Sequence, residues 1–204
     1  VALFELKENV YIADTPGLND INEKVSEKAS LYVERNSDII LFFVPATEGV
    51  TKSVEDAFRA VERLNKPVCI IMNKIDALDD LDIVEVSDQI KEVLGMDPVP
   101  ISAKKGTGIE ALNEEIMRIL ESDGKELLFA KVSRYKTQQV RRLINGALAS
   151  AAGIGAIPIP GADMIPLTTL HVRLAMKIAY VYGVETSKRD VMRVVAATVT
   201  GSAG

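Results

Sequence analysis

The chain reads as an α/β protein: a mostly parallel sheet with helices on both faces, followed by an all-α hydrophobic region. Three observations predict this. Over residues 1–121, short apolar runs alternate with amphipathic helical patterns. Two of those runs, Asp38–Pro45 (DIILFFVP) and Val68–Met72 (VCIIM), are apolar almost throughout, as strands covered on both faces are. After Ser122-Asp123-Gly124 the strand pattern stops, which places a domain boundary there and divides the chain into 1–121 and 122–204.

Element by element, Val1–Leu6 and Val10–Ala13 read as strands joined by a hairpin-like turn at Lys7-Glu8-Asn9. Ile21–Arg35 is helical, with Ile21, Val25, Ala29 and Tyr32 on one face. The strand Asp38–Pro45 follows. Ser53–Leu64 is a helix that turns Val54, Phe58, Val61 and Leu64 inward. Pro67–Met72 is a strand, Ile83–Leu94 a helix, Val99–Ser102 a short strand and Ile109–Leu120 a helix. Ligands of such sheets bind beyond the carboxyl ends of the strands.

The second region starts with Glu126–Ala149, read as one long helix with Lys131, Arg134, Lys136, Arg141 and Arg142 along it. Leu143–Ala162 carries no charge. Asp163 reads as an N-cap, with Pro166 in the first turn of the next helix, where its missing N–H costs nothing. That helix sets Leu167, Leu170, Leu174, Ile178 and Val181 on one side and Thr169, Arg173 and Lys177 on the other. Gly183 ends it, and a last helix runs over Lys188–Val199. His171, the single histidine, falls between the faces and reads as a packed or hydrogen-bonded residue rather than a catalytic one.

Composition narrows the function classes. Hydrophobic residues make up 48% of the 204 and charged residues 26%, as in ordinary globular proteins. The net charge of −5 argues against a specific nucleic-acid partner held by phosphate contacts. Cys69 is the only cysteine, so no intrachain disulfide exists, and one His with one Cys cannot form a zinc site. No signal peptide is recognisable, which fits a cytoplasmic protein. Residue 1 is Val, so the true start is expected upstream.

Three motifs carry chemistry. Asp14-Thr15-Pro16-Gly17 ends the second strand. An Asp there can hold Mg²⁺ through a bound water beside a nucleotide phosphate, and Gly17 lets a backbone N–H approach the terminal phosphate. Asn73-Lys74-Ile75-Asp76 follows the apolar strand. The Asp76 carboxylate can accept two hydrogen bonds from a guanine edge, the Lys74 stem can lie over the base, and Asn73 can tie the loop to its neighbours. A site built on such a pair rejects the wrong base by roughly 10⁴-fold. Ser102-Ala103-Lys104 ends the short strand, where a backbone N–H can meet the guanine O6. Each motif alone has a bland reading as a turn. Their order, each after an expected strand, is what gives them weight.

With those residues in place, the chain resembles the Era-like group of the translation-factor-related GTPases. The resemblance rests on Asp14-Thr15-Pro16-Gly17-Leu18-Asn19, Asn73-Lys74-Ile75-Asp76 and Ser102-Ala103-Lys104-Lys105-Gly106, and covers residues 1–120. It implies a P-loop GTPase-type fold that binds GTP and GDP with Mg²⁺ and acts as a switch. Leu18 stands where Ras-like members place a water-orienting Gln, so no catalytic residue is assigned.

The resemblance also shows what is absent. No Gly-x-x-x-x-Gly-Lys-Ser/Thr occurs in the sequence, so the α/β domain is expected to be incomplete, lacking its first strand, phosphate loop and first switch. Those groups would supply several hydrogen bonds to charged oxygens, at about 1.5–3 kcal/mol each. This chain alone is therefore expected to bind GTP poorly and not to hydrolyse it, with hydrolysis belonging to the intact protein. The strand ending at Asp14 and the strand Asp38–Pro45 would then pair directly, leave a gap or borrow a strand. A non-hydrolysing scaffold with a degenerate domain, and an ATP-binding protein, remain as rivals.

Residues 130–204 resemble the hydrophobic helical domain found behind some bacterial Era-like GTPases, a likeness carried by Gly153–Asp163 and by Tyr180-Val181-Tyr182-Gly183-Val184. Leu143–Ala162 is long enough to span a bilayer, but Arg173 and Lys177 in the next helix are costly in lipid. A helical hairpin is expected, its apolar faces packed together or resting on a membrane surface, with Lys131–Arg142 toward anionic headgroups.

Overall fold

The computed structural model describes residues 2–7, 10–15, 31–155 and 164–201. Strands β1 (Ala2–Lys7) and β2 (Val10–Asp14) pair antiparallel, with Ala2 opposite Asp14 and Phe4 opposite Ile12. Residues 31–36 are helical (α1), and the rest of the helix expected over Ile21–Arg35 lies outside the described residues. The remaining strands are β3 (Ile40–Pro45), β4 (Val68–Asn73) and β5 (Val99–Pro100). They form a parallel sheet in the order β3-β4-β5, with Phe43 opposite Ile71 and Ile71 opposite Val99.

Alternation along β4 explains the layers. Val68, Ile70 and Met72 join a core with Phe42, Val44, Phe58, Val61, Ile90 and Leu94 from β3 and from helices α2 (Lys52–Glu62) and α3 (Asp80–Leu94). Phe42 and Phe58 meet edge to face at 5.3 Å between ring centroids. Helix α4 (Ile109–Glu121), which buries Leu112, Ile116, Met117 and Leu120, packs against β4. Cys69 is buried, and burial pushes its thiol up to about 11, which makes it an inert core thiol.

The two sheets are not hydrogen-bonded to each other among the described residues, so β2 and β3 do not pair directly. The apolar side chains Leu3, Phe4, Leu6, Tyr11 and Ile12 of the β1-β2 hairpin are all exposed. Phe43, beside the buried Ile71 in the main sheet, is 53% exposed.

Several boundaries differ from the sequence reading. Helix α3 begins at Asp80, a turn before Ile83, because the Asp79 carboxylate caps it by accepting the Asp82 N–H at 2.9 Å. Strand β5 ends at Pro100, and Ser102 bridges to Thr107 instead of extending it. The single long helix expected over Glu126–Ala149 is two, α5 (Glu126–Val132) and α6 (Lys136–Gly155). Between them the Ser133 hydroxyl accepts the Tyr135 N–H at 3.1 Å, a local bond that competes with helix continuation.

The chain divides into two compact units, Val1–Glu126 and Leu127–Gly204. In the second, α6 packs on α7 (Met164–Tyr182) and α7 on α8 (Lys188–Gly201). Asp163 lies outside the described residues; Pro166 is in the first turn of α7. Gly183, at φ 71°, closes α7, with the Val184 N–H bonded to the Ala179 carbonyl at 2.8 Å. His171 is exposed on α7, which corrects the packed alternative in the reading of it as packed or hydrogen-bonded. Among the described residues, no helix is long and apolar enough to cross a membrane.

The units carry opposite charge. Leu127–Gly204 holds ten Lys and Arg against three Asp and Glu, a net +7. Val1–Glu126 holds 14 against 26, a net −12. The whole-chain value of −5 averages these, so it does not exclude an anionic partner for the second unit.

Candidate functional site

The carboxyl ends of β4 and β5 bring two of the three motifs together. The Ile101 N–H donates to the Met72 carbonyl at 2.8 Å, and the Ile75 N–H to the Ile101 carbonyl at 3.2 Å, which continues the sheet ladder into the loops. Asn73, the last residue of β4, ties three segments. Its Oδ1 accepts the Lys74 N–H at 2.8 Å and the Ala103 N–H at 3.1 Å, and its carbonyl accepts the Ala46 N–H at 2.7 Å. The tying role expected of Asn73 thus has specific atoms.

Lys74 adopts a left-handed conformation, φ 70°, an uncommon state for a residue with a side chain, in the turn before the 3₁₀ helix Ile75–Ala77 that carries Asp76. Asp76 is half-buried there, and its Oδ1 accepts the Ser102 hydroxyl at 2.6 Å. That hydrogen bond holds the Asp76 carboxyl below the usual carboxylate range. Lys104 and Lys105 act in the same direction, and partial burial opposes them. The side chain is therefore ionised and acceptor-only near neutral pH.

Ser102 is fully buried and positions Asp76. Its hydroxyl also accepts the Lys105 N–H at 3.0 Å, and its carbonyl accepts the Gly106 N–H at 2.8 Å. Two residues outside the three short motifs shape this corner. The Lys105 backbone and charge act on Ser102 and Asp76, a role that spacing alone does not show. Gly108 sits at φ 77° where a Cβ would lie 2.1 Å from the Pro100 carbonyl oxygen, so only glycine fits. A Gly before a helical pattern was the available signal.

The Ala103 N–H, a candidate donor to guanine O6, is engaged by Asn73. Lys74 and Lys104 are exposed beside Asp76. On the phosphate side, Asp14 is the last residue of β2 and Thr15 follows it, both exposed. Pro16, Gly17 and Leu18 lie outside the described residues. Among the described residues no group of three or more His, Cys, Asp or Glu could hold a metal ion. A Mg²⁺ that rides on nucleotide phosphates needs only one or two protein carboxylates, and Asp14 is of the right type.

A parallel sheet with helices on both faces, ending in a rigid loop pair that presents an ionised Asp, defines a nucleotide-binding domain of the GTPase class. The chain belongs to the family described as elongation factor Tu GTP binding domain, which matches residues 1–122. It is 35% identical over 123 residues to GTPase Der of Caldanaerobacter subterraneus subsp. tengcongensis, covering 58% of this chain and 28% of that protein. It is 31% identical over 115 residues to GTPase Era of Halothermothrix orenii, covering 54% and 39%. The chain thus spans about a quarter to two fifths of the length of these curated relatives. Among solved structures, it resembles Era in complex with MgGDPNP and nucleotides 1506–1542 of 16S ribosomal RNA. The TM-score is 0.47 at 28% identity, over 53% of this chain and 39% of that one. A probable GTP-binding protein engB gives a TM-score of 0.48 at 21% identity, over 60% and 84%. Membership of that family implies GTP or GDP as the ligand of its G domain.

Proposed function

We propose that residues 1–121 are the base-reading part of a guanine-specific, GTP-driven switch, and that residues 122–204 are its helical output. One observation carries the reading: the ionised Asp76, held by the buried Ser102 hydroxyl beside a loop that Asn73 braces. A carboxylate in that state accepts the ring N–H and exocyclic amine of guanine, and adenine cannot offer that pair. Lys74 covers the base and Ser102-Ala103-Lys104 closes the edge. Asp14, Thr15, Pro16 and Gly17 serve the phosphates, with Asp14 holding Mg²⁺ through water. When bound, Mg²⁺ neutralises phosphate charge; the protein residues orient and select.

No Gly-x-x-x-x-Gly-Lys-Ser/Thr occurs in this sequence. Among the described residues one edge of β3 carries no partner strand and Phe43 is exposed, which fits a further strand bearing such a loop beside β3. Without that loop the residues present select the base but hold the phosphates weakly. The rival reading is a scaffold that binds nucleotide without turnover; with Leu18 at the position of a water-orienting Gln, turnover in the first reading takes its catalytic help from another loop, a bound cation or a partner. The helical unit, rich in cations, is the part we place on a membrane surface from the cytoplasm.

Saturation-transfer NMR with GDP, ADP and XDP tests the base reading, because it detects millimolar binding. Guanine over adenine is expected, with Asp76→Asn moving preference to xanthine. Equal response to ADP and GDP would overturn it.

A further inference from the structure

The three long helices of Leu127–Gly204 share a polarity that no single helix reveals. Helix α6 carries Lys136, Arg141 and Arg142 in its first two turns and no charge from Leu143 to Gly155. Helix α7 is reversed: Met164–Val172 is uncharged, and Arg173 and Lys177 follow. Helix α8 repeats the order of α6, with Lys188, Arg189, Asp190 and Arg193 ahead of an uncharged 194–201.

Successive helices run in opposite directions. The Lys131 ammonium, just before α6, lies 5.0 Å from the centre of the Tyr180 ring near the end of α7, and Lys131 also touches the space at Gly183. The start of α6 is therefore beside the end of α7. The short turn after Gly183 returns α8 along α7, against which it packs. Alternating direction combined with alternating charge order collects the helix cations at one pole and leaves the helix halves at the other without charge among the described residues; Asp163, in the sequence between α6 and α7, lies outside them.

The uncharged pole is scarcely packed. Among its described side chains only Val172 is buried, while Leu148 is 62% and Val194 65% exposed. At the border, Lys188, Arg189, Met192, Arg193 and Ala196 line a shallow open hollow on α8, cations beside aliphatic groups.

We propose that this unit lowers its uncharged pole into one leaflet of an anionic phospholipid bilayer and keeps its cationic pole at the headgroups. This rests on the membrane placement given under Proposed function and adds its orientation and depth. Charge complementarity selects the occupant. With ten cations to three acids, a second copy of the unit repels its own kind. A nucleic acid would use the cations but not the exposed aliphatic side chains, since single strands stack on aromatic ones. Length sets the depth: the thirteen uncharged residues of α6 rise about 20 Å, against a hydrocarbon core of about 30 Å.

The full chain can be tested directly, because buried Cys69 leaves an introduced cysteine as the reactive thiol. An NBD fluorophore is placed at Leu148→Cys, Val194→Cys, Lys188→Cys or Glu92→Cys, and the protein is floated with vesicles. The vesicles are phosphatidylcholine alone or equal parts phosphatidylcholine and phosphatidylglycerol. Flotation with the anionic vesicles only is expected, with blue-shifted, severalfold brighter emission at positions 148 and 194 and none at 188 or 92. Lys188→Gln with Arg189→Gln should weaken partitioning roughly 30-fold, about fivefold per cation, and leave the nucleotide response unchanged. Failure to float removes the membrane placement itself, and equal flotation with neutral vesicles overturns the selection of an anionic bilayer by the cations. Flotation with an apolar signal at 188 instead of 148 and 194 keeps that placement and overturns the proposed orientation. Displacement from vesicles by RNA at equal charge concentration, with no blue shift at any position, would assign the cations to nucleic acid.

Discussion

Asn73, Asp76 and Ser102 stand at the mouth of a sheet whose strand β4 is buried from Val68 to Met72, whereas Asp14 and Thr15 end a two-stranded hairpin whose apolar side chains are exposed. The base corner is braced by backbone bonds from β4 and β5 and by side-chain bonds across 26 and 30 residues. A parallel sheet thus gives Asn73, Asp76 and Ser102 a braced platform, while Asp14 and Thr15 end a hairpin held, among the described residues, chiefly by its own pairing. Such a division suits the proposed switch, in which the base reader stays constant and the phosphate-side segment is lightly held.

The largest effect that could break this comparison is at Asp76. Asp76→Asn should reverse the preference from GDP to XDP, read by ligand-observed NMR, and leave the melting temperature nearly unchanged. Phe58→Ala, in the core against Phe42, should destabilise the first unit by about 3–5 kcal/mol in urea unfolding. Ser102→Ala should lower stability by about 1–3 kcal/mol, because it leaves the partners of a buried hydroxyl unpaired. In the same variant the Asp76 carboxyl should rise toward its ordinary range in an NMR titration. Since Asp76 is held low in the folded state, its contribution to stability is full above about pH 4, the unfolded value. That contribution is lost as pH falls through the folded value, so it should not vary between pH 5 and 8. The smallest effect belongs to the hairpin: Phe4→Ala should change unfolding by no more than about 0.5 kcal/mol. A loss there comparable to Phe58→Ala would show the hairpin to be as firmly seated as the main sheet.

Much of the fold was legible because hydrophobic pattern reports burial directly. The uninterrupted VCIIM run announced a strand buried on both faces, and the spacing of Phe58 and Val61 announced the inward face of α2; the equally apolar ILFFV run announced a strand but not its burial, since β3 buries Phe42 and Val44 and leaves Phe43 exposed. Where a single polar side chain decides, pattern fails. Asp79 starts α3 early and Ser133 interrupts the helix expected over Glu126–Ala149, and both act through one hydrogen bond. The site residues were legible as types in order. Their mutual bonds were not: that the Ser102 hydroxyl donates to Asp76 is visible only once β4 and β5 are paired. The opposite charges of the two units are present in the sequence, but they emerge only when counted within boundaries that the structure draws.

By itself, the sequence determined the motif order, the strand and helix alternation and the change of character after Gly124, because each depends on local residue type and period. Tertiary structure alone decided that Ser102 meets Asp76, that Ala103 meets Asn73, and that three helices gather their cations at one pole. Those relations depend on strand register and helix direction, which bring distant residues together through packing that no local pattern records.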